Sequence, residues 1–112
     1  MVRVEIFEDD AGRIAAFQVE GHAGFGESGE DLVCAAVSVL TQTAVLGLEH
    51  HLDASPEVEV DKGRLRCTLP VLTVKNAERA EVILRTMYLG LMAIAENYDQ
   101  YIQVKMRRWT GC

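Results

Sequence analysis

The alternating apolar segments of this chain arrive in pairs, and that arrangement restricts the fold more than any other feature of the sequence. Val2, Val4 and Ile6 alternate with Arg3, Glu5 and Phe7, Asp9-Asp10-Ala11-Gly12 supplies turn chemistry, and Ile14 to Gly21 returns as a second extended run. Glu57 to Val60 and Leu65 to Leu69 flank Asp61-Lys62-Gly63 as a second hairpin, with Val58 and Val60 facing across to Leu65, Cys67 and Leu69. Each pair is followed by a long segment of helical character. The first starts near Ser28, where Ser28 and Asp31 stand in a capping arrangement and Glu30 and Asp31 favour a helix N-terminus, and it runs to about His50. Leu32, Val33, Ala36, Val37, Leu40, Val45 and Leu48 make it apolar nearly all round, so it is expected to be buried on most sides at the centre of the core. The second helix, capped by Thr73 or Asn76, carries the stripe Ala80, Ile83, Met87, Leu91 and Ile94, with Glu78, Arg79, Glu81 and Arg85 on its exposed face. Tyr101 to Arg107 alternates once more, with Ile102, Val104 and Met106 on one side. The order is ββαββαβ. Strands that come as hairpins rather than singly between helices point to one α+β domain over residues 1–112, an antiparallel sheet of about five strands with two long helices.

At 112 residues and 49% hydrophobic content the chain is long enough to build one core without disulfide or metal staples. Seventeen acidic against eleven basic residues give a net charge of −6, which excludes a protein that relies on counterion release for binding nucleic acid and favours a basic partner. The charged N-terminal residues are unlike a secretory signal, so a cytoplasmic location is expected. The stretch from Leu32 to Leu48 is interrupted by Ser38, Thr41, Gln42 and Thr43 and falls short of the about 20 residues a bilayer helix needs, so no membrane span is predicted. Cysteines at 34, 67 and 112 contain no Cys-x-x-Cys and suggest neither a disulfide framework nor a zinc knuckle. Cys67 alternates with Leu65 and Leu69 and reads as core, whereas terminal Cys112 carries no assignment. His50-His51 lacks a further ligand of suitable spacing, so no metal site is predicted there; both imidazoles stand beside the carbonyls that end a helix. Arg107-Arg108-Trp109 reads as the end of a strand.

Gly24-x-Gly26-x-x-Gly29 formally satisfies the dinucleotide-binding pattern. Glu27, Glu30 and Asp31 would face the phosphates, however, and the strands that follow form a hairpin rather than completing a parallel β-α-β unit, so this reading is rejected. His22 and Cys34 are more informative. They bracket the glycine-rich segment, the histidine at a strand end and the cysteine just inside a helix, where an imidazole could take the thiol proton and return it to a leaving amine. On residue types alone a buried, inert cysteine is the competing reading, and the neighbouring Glu30 and Asp31 oppose a thiolate.

The run Gly21-His22-Ala23 followed by Gly29-Glu30-Asp31-Leu32-Val33-Cys34-Ala35-Ala36-Val37-Ser38 resembles the signature of the ribosomal-processing cysteine protease family, Prp, and the likeness in length and element order extends over essentially the whole chain. The resemblance implies a small bacterial cytoplasmic cysteine endopeptidase, needing no cofactor, that cleaves after a phenylalanine. It would remove a short N-terminal extension from large-subunit ribosomal protein number twenty-seven and form homodimers. Carried over, Cys34 is the nucleophile and His22 its partner, and Asp31 and Ser38 match supporting positions. Asp31 would orient His22 or substrate, or simply supply helix-start charge; Ser38 would bond histidine or substrate, or its own preceding turn. Phe25, with Gly24, Gly26 and Gly29, reads either as a lid over an extended peptide or as an ordinary packing residue in a loop. The alternative function is a non-catalytic module that docks on a ribosomal protein or assembly factor, with Cys34 in the core.

Overall fold

The computed structural model describes residues 1–21 and 28–111, with side chains described outside 28–30. Seven elements follow one another: β1 (Val2–Glu8), β2 (Ile14–Glu20), α1 (Ser28–His51), β3 (Glu57–Asp61), β4 (Arg64–Thr68), α2 (Val74–Asn97) and β5 (Ile102–Arg108). The strands form one sheet in the order β3-β4-β2-β1-β5.

The expected α+β class and element order hold, but the sheet is mixed rather than antiparallel throughout, because β5 pairs with β1 in parallel register from Val2↔Ile102 to Glu8↔Arg108. The reason lies in the connection. β4 is two antiparallel steps from β1 and so runs in the same sense as β1. The 24-residue α2 then carries the chain back along the sheet, so β5 enters in the sense of β4, as a helical crossover requires and a tight turn cannot provide.

The pleat sorts side chains by parity. Ile6, Phe17, Cys67 and Val58 lie in one cross-strand row, and Val4, Val19, Leu65 and Val60 in the next, on a single face. Phe17, Ile6, Val4 and Cys67 are buried there against Leu48, Leu84 and Leu91 of the two helices. The opposite face carries rows such as Glu5, Gln18, Arg66 and Glu59, with Arg66 donating to Gln18 Oε1 at 3.0 Å. At its far margin the Trp109 ring meets the Phe7 ring edge-on at 5.8 Å.

The expectation that the first helix is buried on most sides is overturned. α1 buries one stripe, Val33, Val37, Thr41, Ala44 and Leu48, while Leu32, Val39 and Leu46 are 58%, 67% and 65% exposed. Apolar content alone does not say which residues face the sheet; with helices on a single face, only one side of α1 is covered. Within Asp31 to His51, an 18-residue stretch of α1 has a mean hydropathy of 1.7, so by length and composition the helix is apolar enough to cross a membrane, and 28% of that stretch is buried here. α2 crosses it closely where Gly90 lies against Leu40 and Gly47 against Ile83; a Cβ on Gly90 would stand 2.8 Å from the Leu40 Cδ2 atom.

For α2 the structure chooses between the two caps: Thr73 is the N-cap, its hydroxyl accepting the Asn76 N–H at 3.3 Å, and buried Asn76 instead donates through Nδ2 to Asp53. Of the stripe, Ala80, Met87 and Leu91 are buried, joined by Leu84, while Ile83 and Ile94 are half-buried. Glu81 and Arg85, expected on the exposed face, are half-buried and engaged. Glu81 Oε1 accepts the Ile14 N–H at 2.8 Å, and Arg85 binds Glu81 at 2.8 Å, Glu8 at 3.1 Å and the Gly12 carbonyl at 3.0 Å. These long side chains reach the β1–β2 turn, where they satisfy a backbone donor and a carbonyl.

Candidate active site

Cys34 stands six residues into α1, half-buried, on the wall of an open cavity of about 250 Å³. Helical periodicity sets Ser38 one turn further along the same face and Gln42 one turn beyond that, and all three line the cavity. Its floor is apolar, made by Val2, Val19, Val37 and Leu65. Thr41 joins them with its hydroxyl already committed to the Val37 carbonyl at 2.8 Å. The far wall is the β3–β4 turn, contributing Val60, Asp61, Gly63 and Arg64.

Gly21 closes the cavity at the end of β2 and immediately precedes His22. Its φ of +77° lies in the left-handed region, and a Cβ at this position would collide with the Met1 carbonyl oxygen. Only glycine meets both conditions without strain. Its N–H donates to the Gly63 carbonyl at 3.2 Å, tying the end of β2 to the β3–β4 turn. Gly21, the residue before His22, is therefore a fixed point in the lining of the cavity that also holds Cys34.

Of the residues singled out in the sequence, Cys34 and Ser38 are brought together at the cavity. Ser38 does not bond back to its own preceding turn among the described residues, whereas Thr41 and Thr86 both do. Asp31 is exposed on the first turns of α1 and does not line the cavity. His22, Gly24, Phe25, Gly26 and Cys112 lie outside the described residues. Gly29, expected in the loop, is the second residue of α1. A glycine is cheap there, because the first helical N–H groups have no acceptor within the helix to lose. Sequence reading missed Gln42, Val60, Asp61 and Arg64. Gln42 was within reach through the 34, 38, 42 spacing; the turn residues are brought in only by the sheet.

The other described cysteine has a contrasting environment. Burial, and secondarily the Glu49 carboxylate, push the Cys67 thiol up to about 12, so it stays protonated and inert at neutral pH. Between Cys34 and Cys67, only the former meets solvent at a cavity with room for another molecule. His50 and His51 pack edge to face at 4.7 Å at the exposed end of α1. Arg107 and Arg108 close β5 and pair with Glu5 and Asp10.

The family model described as cysteine protease Prp matches residues 1–103 of this chain. The ribosomal processing cysteine protease Prp of Staphylococcus aureus is 30% identical over 110 residues, covering 96% of this chain and all of that protein. Its Bacillus subtilis counterpart is 27% identical over 107 residues, covering 93% and 96%. Among solved structures, the S. aureus protease bound to a substrate peptide superposes with a TM-score of 0.84 at 28% identity over 96% of this chain and all of that one. The form with a covalently linked product peptide gives 0.81 at the same identity and coverage. A protein of Streptococcus mutans gives 0.86 at 29% identity, covering 97% and 96%. With the match spanning both helices, the first four strands, the start of β5, and the cavity, the chain belongs to the Prp family of cysteine proteases.

Proposed function

We propose that this chain is a thiol endopeptidase that removes the N-terminal extension of large-subunit ribosomal protein number twenty-seven in the bacterial cytoplasm, with Cys34 as nucleophile and His22 as general base. The observation that carries this reading is the half-buried Cys34 on the wall of a cavity with an apolar floor, with His22 following directly on Gly21, which lines the same cavity. His22 takes the Cys34 proton as sulfur attacks the scissile carbonyl. The imidazolium returns that proton to the leaving amine, and water then releases the acyl group as a carboxylic acid and restores the thiol. A relative that holds a product peptide by a covalent link supports a covalent route. Backbone N–H groups at the start of α1, the positive end of the helix, supply the oxyanion donors, and Ser38 holds histidine or substrate. The floor of Val2, Val19, Val37 and Leu65 takes the apolar side chain that precedes the cut. Asp31 adds charge at the helix start or orients His22, and the segment with Gly24, Phe25 and Gly26 covers the peptide.

The net charge of −6 favours a lysine- and arginine-rich substrate, with association that weakens as salt rises. Two copies pair through the apolar helical surface where Leu32, Val39, Val82 and Leu89 are exposed; sedimentation of Leu89→Glu then shows a smaller particle than the unaltered chain. The cleavage assay is direct: the protein is mixed with the extended ribosomal protein and the product mass is read, then the assay is repeated with Cys34→Ala and His22→Ala. Shortening by the unaltered protein alone supports the reading. No shortening by the unaltered protein, with binding retained, assigns the chain to a docking module instead.

A further inference from the structure

Among the described residues β3 is an edge strand, and the pairing of its neighbour shows which of its backbone groups have no partner there. The Gly21 N–H donates to the Gly63 carbonyl and the Leu69 N–H to the Ala15 carbonyl, both continuing the β2–β4 register. Antiparallel bonding alternates, so odd-numbered β4 residues face β2 and Arg64, Arg66 and Thr68 face β3. Their partners are Asp61, Glu59 and Glu57. The N–H and C=O groups of Val58 and Val60 therefore point outward from the sheet, along its open edge.

That edge reaches the candidate active site. Val60 is 77% exposed and, with Asp61, forms the cavity wall across from Cys34, Ser38 and Gln42. Its side chains alternate, with valines on the helix side and exposed Glu57, Glu59 and Asp61 on the other. The opposite edge, β5, carries Lys105, Arg107 and Arg108, and its residues do not line this cavity.

We propose that the substrate binds as a sixth strand along the free edge of β3, hydrogen-bonded to the backbone of Val60 and Val58, so that its scissile carbonyl is delivered in extended form to Cys34. This rests on Cys34 being the nucleophile. An extended chain has the same repeat as the edge it meets; it offers N–H and C=O groups to Val60 and Val58 at every second residue, and basic side chains at alternate positions meet Glu57, Glu59 and Asp61. The strand addition sets the register of the peptide, and the cavity floor then reads one side chain.

The test uses the full chain and a synthetic peptide spanning the cleavage junction, with single backbone N-methyl groups placed at successive residues. Strand addition predicts a period of two: methylation at alternate residues lowers kcat/KM by about tenfold, and at the residues between leaves it near the parent value. Val60→Pro removes one outward donor without touching a β3–β4 bond, so it raises KM by about tenfold while Val60→Ala, which keeps the backbone groups, changes it less. Cleavage with no period in the methyl scan, or Val60→Pro matching Val60→Ala, overturns the sixth strand and leaves the peptidase reading standing. A change in self-association for Val60→Pro with unaltered kinetics assigns the edge to a second copy and overturns it equally. Failure of the unaltered chain to cut any peptide overturns both.

Discussion

At the β5 side of the sheet, Arg85 joins α2 to Glu8 and to the Gly12 carbonyl, Glu81 holds the Ile14 N–H, and Arg107 and Arg108 pair with Glu5 and Asp10. At the β3 side the wall of the cavity is built differently, from an exposed valine, the β3–β4 turn and one helix face that carries half-buried Cys34 and Ser38. The ion pairs that join described residues belong to the first region, the accessible thiol and the free strand edge to the second. A small enzyme can hold its sheet rigid from one side and keep the other side unpaired for a peptide, because backbone groups already committed within the fold are unavailable to substrate.

The sharpest test of this contrast is Cys34→Ala, for which cleavage of the extended ribosomal protein is expected to fall by at least about a thousandfold, with thermal unfolding nearly unchanged. Residual cleavage near the parent level, read by product mass, would remove the β3 side from the chemistry. Next in size is the difference between Leu91→Ala and Val60→Ala in denaturant unfolding. Fully buried Leu91 should cost about 2–5 kcal/mol, and exposed Val60 within about 0.5 kcal/mol. Equal losses would show that the β3 edge is as much a part of the core as α2.

Arg85→Met is expected to destabilise the fold by about 1–2 kcal/mol, since it leaves half-buried Glu81 and Glu8 without their cation, while kcat/KM at the distant cavity stays within about twofold. A large kinetic effect would break the separation of brace from site. The last effect is confined to alkaline pH and leaves stability at neutral pH untouched. The unfolded Cys67 thiol ionises near its ordinary 9.0 and the folded one only at about 12, so the unfolded state binds fewer protons above pH 9. This contribution is whole below that pH and is lost as pH rises toward 12, on the order of 1 kcal/mol per pH unit. Unfolding curves of Cys67→Ala should show a shallower alkaline decline than the parent, and parallel curves would count against burial as the cause.

Much of the fold was legible because period two and period 3.6 leave different marks on a sequence. The paired strands, both long helices and their order follow from those marks, and the turn at Asp61-Lys62-Gly63 from its glycine, whose φ is +68°. The burial of α1 was not legible: Leu32 and Val39 look like Val33 and Val37 in a list, and only the single helical layer leaves one pair wet. Glu81 and Arg85 were misplaced because their partners, Ile14 and Glu8, are 67 and 77 residues away. The same distance in sequence hid the β3–β4 turn as a wall of the cavity, whereas Cys34 and Ser38 stood out through a local run of residues.

By itself the sequence determined the element types, the hairpin pairing, the core position of Cys67 and the family to which the chain belongs, since each rests on neighbours along the chain or on a contiguous motif. Tertiary structure alone decided that β5 lies parallel to β1, that one face of α1 is exposed, and that Val60 stands across a cavity from Cys34. Those outcomes depend on where a helix lands on a sheet, and that is settled by packing between segments that local periodicity cannot connect.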